Sequence, residues 1–228
     1  MKKNVKWLGA LMIGATLSLS ASAQDTYSAN AVGFIKLELP PGLSLVSTPF
    51  VKVGGETPTI GDVFGTNVPD FSVVHVYHPS TGYRTFSFVF GEWYTGATGG
   101  QSTNQLDRGS GVWFKNPASS NVVLNVVGEV PGGAAFATEI VELPVGLSLV
   151  SFSFPASTPI AASGLVPDNF DVIHSYMPGE GYRSFSYVFG QWYEGATPVS
   201  FSFEPGKAYW YKSVSQKTWT QPKPYVWP

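Results

Sequence analysis

Apolar and polar positions alternate with a period of two in run after run of this chain, and glycine or proline stands between the runs. Val32 to Leu39 alternates in this way and is closed by Pro40-Pro41-Gly42. Leu43 to Phe50 follows, ended near Pro49, and its counterpart is Leu143 to Phe154. Period two is the signature of strands, whose successive side chains point to opposite faces. Val73 to Tyr77 and Val172 to Tyr176 are further strands. Each leads through a proline-glycine turn, residues 79–82 and 178–181, into another run, so each pair is predicted to form a β-hairpin. Helical spacing is confined to one turn at Thr59–Phe64, with Thr59 as its cap and Asp62 near its positive end.

One run occurs twice. Gly82 to Thr98 and Gly181 to Thr197 differ at only four of seventeen positions, Thr/Ser, Phe/Tyr, Glu/Gln and Thr/Glu. In both copies one face is bulky, Phe86, Phe88 and Phe90 against Phe185, Tyr187 and Phe189. The other is small, Thr85, Ser87 and Val89 against Ser184, Ser186 and Val188. Equivalent segments extend on either side. Val68-Pro69-Asp70 matches Val166-Pro167-Asp168, and Leu106 to Lys115 matches Phe203 to Lys212. The offset falls from 104 through 98 to 97 residues, which places the length changes in loops. A unit built twice sets the architecture. The expected fold is all-β: two tandem homologous β-sandwich or small β-barrel modules of about six short antiparallel strands each. Module 1 is residues 24–132 and module 2 residues 133–228, with Pro131-Gly132-Gly133 at the seam.

Residues 1–23 read as an export signal. Lys2, Lys3 and Lys6 precede an apolar run from Trp7 to Leu19, and Ala21-Ser22-Ala23 is a small-residue cleavage site. The apolar run is shorter than the roughly 20 residues that span a bilayer, so no transmembrane segment is expected after cleavage. Export to the cell surface or the medium follows, with the periplasm as the other destination. Removing three lysines leaves ten basic side chains against fifteen acidic, a net charge of −5. That balance excludes the clustered basic face nucleic acid requires. There is no cysteine, so the exported chain relies on its core, for which its 15% aromatic content is suited.

The quoted segments carry a resemblance. Gly42 to Ser47, Tyr77, Tyr83, Trp93, Leu106 to Phe114 and Gly128 to Val130 follow a glycine, Ser-Leu-Val-Ser, tyrosine, tryptophan, Gly-x-Gly-x-Trp, Gly-Glu-Val order. The second copy repeats it but closes on Thr218-Trp219-Thr220. The chain resembles a group of secreted bacterial proteins, mostly uncharacterised, that share this aromatic module of about 100 residues. The resemblance implies a cell-surface or exported protein and transfers no catalytic site.

Candidate chemistry is sparse. The chain has no Gly-x-Ser-x-Gly elbow, no His-Glu-x-x-His and no phosphate loop. Glu92 becomes Gln191 and Thr95 becomes Glu194, so the repeat does not keep acids in place as a glycoside hydrolase of two equivalent centres would. His75 and His174 are equivalent, but one imidazole per copy falls short of a metal site, and neither metal nor cofactor is expected. The candidate ligand-binding set is Trp93, Tyr94 and Arg84 with Trp192, Tyr193 and Arg183. Flat rings at hairpin ends can stack on sugar C–H groups, and an arginine can grip an anionic sugar. The competing reading puts the tryptophans in the core and the arginines on neighbouring rings or paired with Asp70 and Asp168. The leading expectation is a non-catalytic exported protein with a structural or adhesive role, joined to other surface proteins or to itself. The alternative is a carbohydrate-binding protein that uses exposed aromatics to hold polysaccharide.

Overall fold

The computed structural model describes residues 31–96, 104–132 and 134–226; the segment expected to be an export signal at 1–23, the polar lead up to Asn30 and most of the glycine-rich loop at 96–103 lie outside the described residues. The chain is all-β, built from antiparallel sheets, none of which closes into a barrel. The first half runs β1 (Val32–Leu39), β2 (Gly42–Val46), α1 (Ile60–Phe64), β3 (Val73–His78), β4 (Gly82–Val89), β5 (Glu92–Thr95), β6 (Val112–Asn116) and β7 (Val122–Glu129). The second runs β8 (Thr138–Leu143), β9 (Gly146–Val150), β10 (Thr158–Pro159), β11 (Val172–Met177), β12 (Gly181–Val188), β13 (Gln191–Glu194), β14 (Thr197–Val199), β15 (Ser202–Phe203), β16 (Tyr209–Ser213) and β17 (Lys217–Pro222). Strands therefore exceed the six expected per half, chiefly because the second half adds the short β10, β14 and β15.

Both halves use one plan. Strand order β2-β6-β3-β4-β5 recurs as β9-β16-β11-β12-β13, with β14 added at the edge. A separate ribbon covers each sheet, β1-β7 in the first half and β8-β17 in the second. Between sheet and ribbon lies the core. In the first half Val74, Phe86, Phe88, Val112 and Phe114 of the sheet meet Leu39, Leu124 and Val126 of the ribbon, with α1 supplying Ile60, Val63 and Phe64. Thr59 caps that helix as the sequence predicts: it accepts from the Asp62 amide, and the Asp62 carboxylate accepts from the Thr59 amide.

The repeated hairpins turn on two residues. Val89 pairs with Glu92 and Val188 with Gln191, leaving Phe90-Gly91 and Phe189-Gly190 as loops. All four loop residues have positive φ, the pattern of a type I′ turn, for which Asn-Gly is favoured. Phenylalanine is poorly suited there, and its ring is 90% exposed at Phe90 and 87% at Phe189. Phe90→Asn and Phe189→Asn are each expected to stabilise the fold by about 1 kcal/mol. A higher urea midpoint at unchanged slope would show it; an unchanged or lowered midpoint would mean that the rings stabilise the turn by contacts this fold does not display.

The halves meet through reciprocal contacts, as in a twofold interface within one chain. The Ser47 amide donates to Gly206 O at 3.0 Å, and the equivalent Ser151 amide donates to Gly109 O at 2.8 Å. Trp113 lies edge-on to Tyr176 and Trp210 edge-on to Tyr77, both at 4.8 Å between centroids. Leu45, Trp113, Leu149, Ala208 and Trp210 form a buried cluster of their own between the halves. One tie has no counterpart: Arg108, where the second half has Pro205, reaches across to pair with Glu139 and lies over Phe136 and Phe154. Burial lowers its pKa, and Glu139 opposes that shift.

Candidate functional site

Register decides which aromatics face solvent. In β4 the even-numbered Phe86 and Phe88 point into the core, so Tyr83, Thr85 and Ser87 share the outer face. Across the ladder Tyr77 pairs with Tyr83, His75 with Thr85, and His75 again with Trp113 of β6. The second sheet repeats the grid with Tyr176 opposite Tyr182 and His174 between Ser184 and Trp210. These two outer faces meet where the halves join and enclose a cleft of ≈ 970 Å³.

The cleft is aromatic and nearly symmetric. Trp113 and Trp210 form its depth, and Tyr83 and Tyr182, 55% and 53% exposed, stand in its mouth. Tyr77 and Thr85 of the first half, His75 with His174, and Leu43 with the equivalent Leu147 complete the lining. None of these side chains is a carboxylate, a guanidinium or an ammonium. Tyr77 and Tyr83 meet edge-on at 5.2 Å, as do Tyr176 and Tyr182, so each pair braces the other's ring. Burial raises the Tyr182 phenol above its ordinary value. A hydrogen bond from Trp210 opposes this shift, and the phenol of Tyr83, from the other half, adds to it.

The imidazoles supply the cleft's polar points. His75 Nδ1 shares a hydrogen bond with the Thr85 hydroxyl at 2.9 Å, and His174 Nδ1 with Ser184 at 2.8 Å, which leaves Nε2 to meet a ligand. Burial lowers both histidine pKa values, and Lys115 and Lys212 on the adjacent strands lower them further. Each histidine is thus neutral at pH 7. The unfolded chain takes up these protons at higher pH than the folded one. Stability is therefore expected to be full above the ordinary histidine value of 6.5 and to fall as pH drops through the folded values, levelling off beneath them. Thermal melts between pH 7 and pH 5 check this, with His75→Gln/His174→Gln flattening the slope in that window. A wild-type profile that is flat there would contradict the stated shifts.

In comparison with known proteins, no family model, no curated protein and no solved structure matches this chain.

The residues singled out from the sequence divide. Trp93 and Trp192, at 3% and 8% exposure, are core residues. Trp93 donates to Gly65 O at 2.9 Å and packs on Phe64 and Phe88. Neither tryptophan offers a ring face to solvent. The two-residue turn is the reason: it sets Trp93 opposite Phe88 and Trp192 opposite Tyr187, on the core side. Tyr94 and Tyr193 come out on the other side, opposite Ser87 and Ser186, half-exposed on the same outer face as the cleft. Arg84 and Arg183 stand over Phe86 and Phe185, away from the cleft. Their partners are not Asp70 and Asp168. Arg84 donates to Asn104 at 2.8 Å, and Arg183 forms a two-bond pair with Glu194, while Asp168 is held by Lys217.

His75, Tyr77, Tyr83 and Trp113 escaped the sequence reading as a set. Their signal was present in the hairpin parity, since Thr85 and Ser87 alternate with Phe86 and Phe88, which end in the core, and Tyr83 keeps the parity of Thr85. That the outer faces of two sheets 100 residues apart would meet has no local sign. Among the described residues no three His, Asp or Glu side chains converge as a cation cage would need.

Proposed function

We propose that this chain is a non-catalytic exported protein of adhesive type, and that it holds a neutral carbohydrate in the aromatic cleft between its halves. One observation carries the reading: a concave site of ≈ 970 Å³ whose lining pairs exposed tyrosine rings with neutral imidazole and hydroxyl groups and includes no ionised side chain. Concave, mostly apolar sites with a few convergent polar groups are the usual form of small-ligand sites. Sugar rings match this mixture, with C–H faces for the tyrosines and hydroxyls for His Nε2 and the phenols. An acidic sugar would leave its charge without a partner in the cleft. A glycosidase mechanism finds no pair of carboxylates there.

The test is retention of purified residues 24–228 on immobilised cellulose, laminarin, starch and xylan, with alginate and polygalacturonate as acidic controls. Tyr83→Ala/Tyr182→Ala is expected to lose at least tenfold in affinity for the neutral polymer retained. Trp93→Ala is no substitute as a probe, because removing that core ring costs roughly 3–5 kcal/mol of folding energy. Retention on acidic polymers alone, or retention indifferent to Tyr83 and Tyr182, would refute the proposal. In that case the adhesive role falls to protein partners.

A further inference from the structure

The outer face that forms the cleft does not stop at the cleft. Three successive rungs can be followed along each sheet. In the first half they are Tyr77–Tyr83, then Trp113–His75–Thr85, then Lys115–Val73–Ser87–Tyr94. In the second they are Tyr176–Tyr182, then Trp210–His174–Ser184, then Lys212–Val172–Ser186–Tyr193. The floor between the outer tyrosine and the cleft tyrosine is made of hydroxyl side chains in both halves, Thr85 and Ser87 in one, Ser184 and Ser186 in the other. The Tyr94 and Tyr193 phenols each donate to the side chain two residues back on the same strand, Glu92 at 3.1 Å and Gln191 at 3.2 Å. The second rung still belongs to the cleft lining, and Ser87 and Ser186 lie two residues further along their strands, so each arm runs about 7 Å past the lining at strand spacing.

We infer that this face is one continuous track for an unbranched neutral polysaccharide, bound along the chain's interior rather than at its end. The inference rests on the carbohydrate reading of the cleft. Four tyrosines, Tyr94, Tyr83, Tyr182 and Tyr193, mark the track at reciprocal positions on either side of the join, and hydroxyls lie between them. A single sugar ring reaches part of the cleft alone and leaves both arms empty. A chain reaches the cleft and the arms together, and each added contact is made at the small cost of an already tethered ligand. The charged groups along the track stand at its margins: Glu92 beside Tyr94, and Lys115 and Lys212, whose ammonium groups can donate to sugar hydroxyls. Both ends of the cleft open onto an arm of the same construction, as an interior segment of a long chain requires.

The experiment compares, by calorimetry, the di-, tetra- and octasaccharides of cellulose, laminarin, starch and xylan on wild-type protein and on Tyr94→Ala/Tyr193→Ala. Affinity is expected to rise at least tenfold from disaccharide to octasaccharide. The tyrosine variant should lose that gain while binding the disaccharide unchanged. A second variant, Ser87→Arg/Ser186→Arg, obstructs the floor without touching the core and should act in the same way if loss of the tyrosines disturbs folding. Affinity independent of length, or length dependence that survives both variants, would overturn the track and leave the cleft reading standing. Failure of every oligosaccharide and polymer to bind would overturn both.

Discussion

Replacing Asp171 by alanine is expected to cost about 3–5 kcal/mol of unfolding free energy, the scale for breaking a buried charged network by removing one partner. Asp171 is fully buried. One carboxylate oxygen accepts from the Tyr211 hydroxyl at 2.5 Å, from the Asp168 amide at 2.8 Å and from Lys217. The other accepts from the Val214 amide at 2.8 Å. Without it, Lys217 keeps only Asp168, and a buried phenol and amide lose their acceptors. Burial and then Asp171 hold the Tyr211 phenol far above its ordinary pKa, so the hydroxyl stays a donor.

The first half shows how the same network can be dispensed with. By register Ser72, Phe114 and Val122 occupy the positions of Asp171, Tyr211 and Lys217. The triple variant Asp171→Ser/Tyr211→Phe/Lys217→Val should therefore recover most of the loss, since an apolar cluster of similar volume often equals a buried ion pair. Urea denaturation of the single and triple variants measures both. A single substitution costing under about 1 kcal/mol would mean that solvent reaches this carboxylate.

A valine at Gly111 is expected to destabilise the chain by about 1–3 kcal/mol and to remove ligand binding together with it. A Cβ at Gly111 would lie 2.3 Å from the Cβ of Ala208 and 3.1 Å from Leu149. Gly111 and Ala208 are equivalent positions facing each other where the halves join, one residue before Val112 and Tyr209 enter their strands. There is room for one methyl group between them, not two. Extra volume must push the halves apart, and the cleft walls belong to different halves. The swap Gly111→Ala/Ala208→Gly moves the methyl across the join and should be nearly neutral. Urea midpoints for valine, alanine and the swap test the argument as a series. A swap as damaging as valine would show that backbone geometry, not shared volume, sets this contact.

Much of the fold could be read locally because its determinants are local. Period-two runs gave the strands, Thr59 and Asp62 gave the cap of α1, and proline-glycine turns gave the hairpins. Trp93 shows where local reading stopped short. Taken as a turn of two residues, Phe90-Gly91 already places Trp93 beside Phe88 in the core and Tyr94 beside Ser87 outside. Treating Gly91 only as a break left both readings of Trp93 open. Arg84 illustrates a second limit: its partner Asn104 stands outside any strand, where no periodicity places it. The cleft is a third case. Its walls depend on long-range contacts such as Trp113 with Tyr176, and these arise from two glycine turns, at Gly109 and Gly206, that fit against Val141 and against Ile35 and Leu37 of the opposite halves.

The central claim is that the cleft between the halves holds a neutral glycan, and the chain's three histidines allow a direct measurement. His75 and His174 line the cleft, whereas His78 lies outside it, bonded to the Ser80 hydroxyl. Proton NMR of the imidazole rings during titration with a soluble oligosaccharide of the retained polymer separates the three. The account predicts that His75 and His174 shift together with one saturation curve while His78 stays in place. Saturable binding that leaves His75 and His174 unmoved would contradict it.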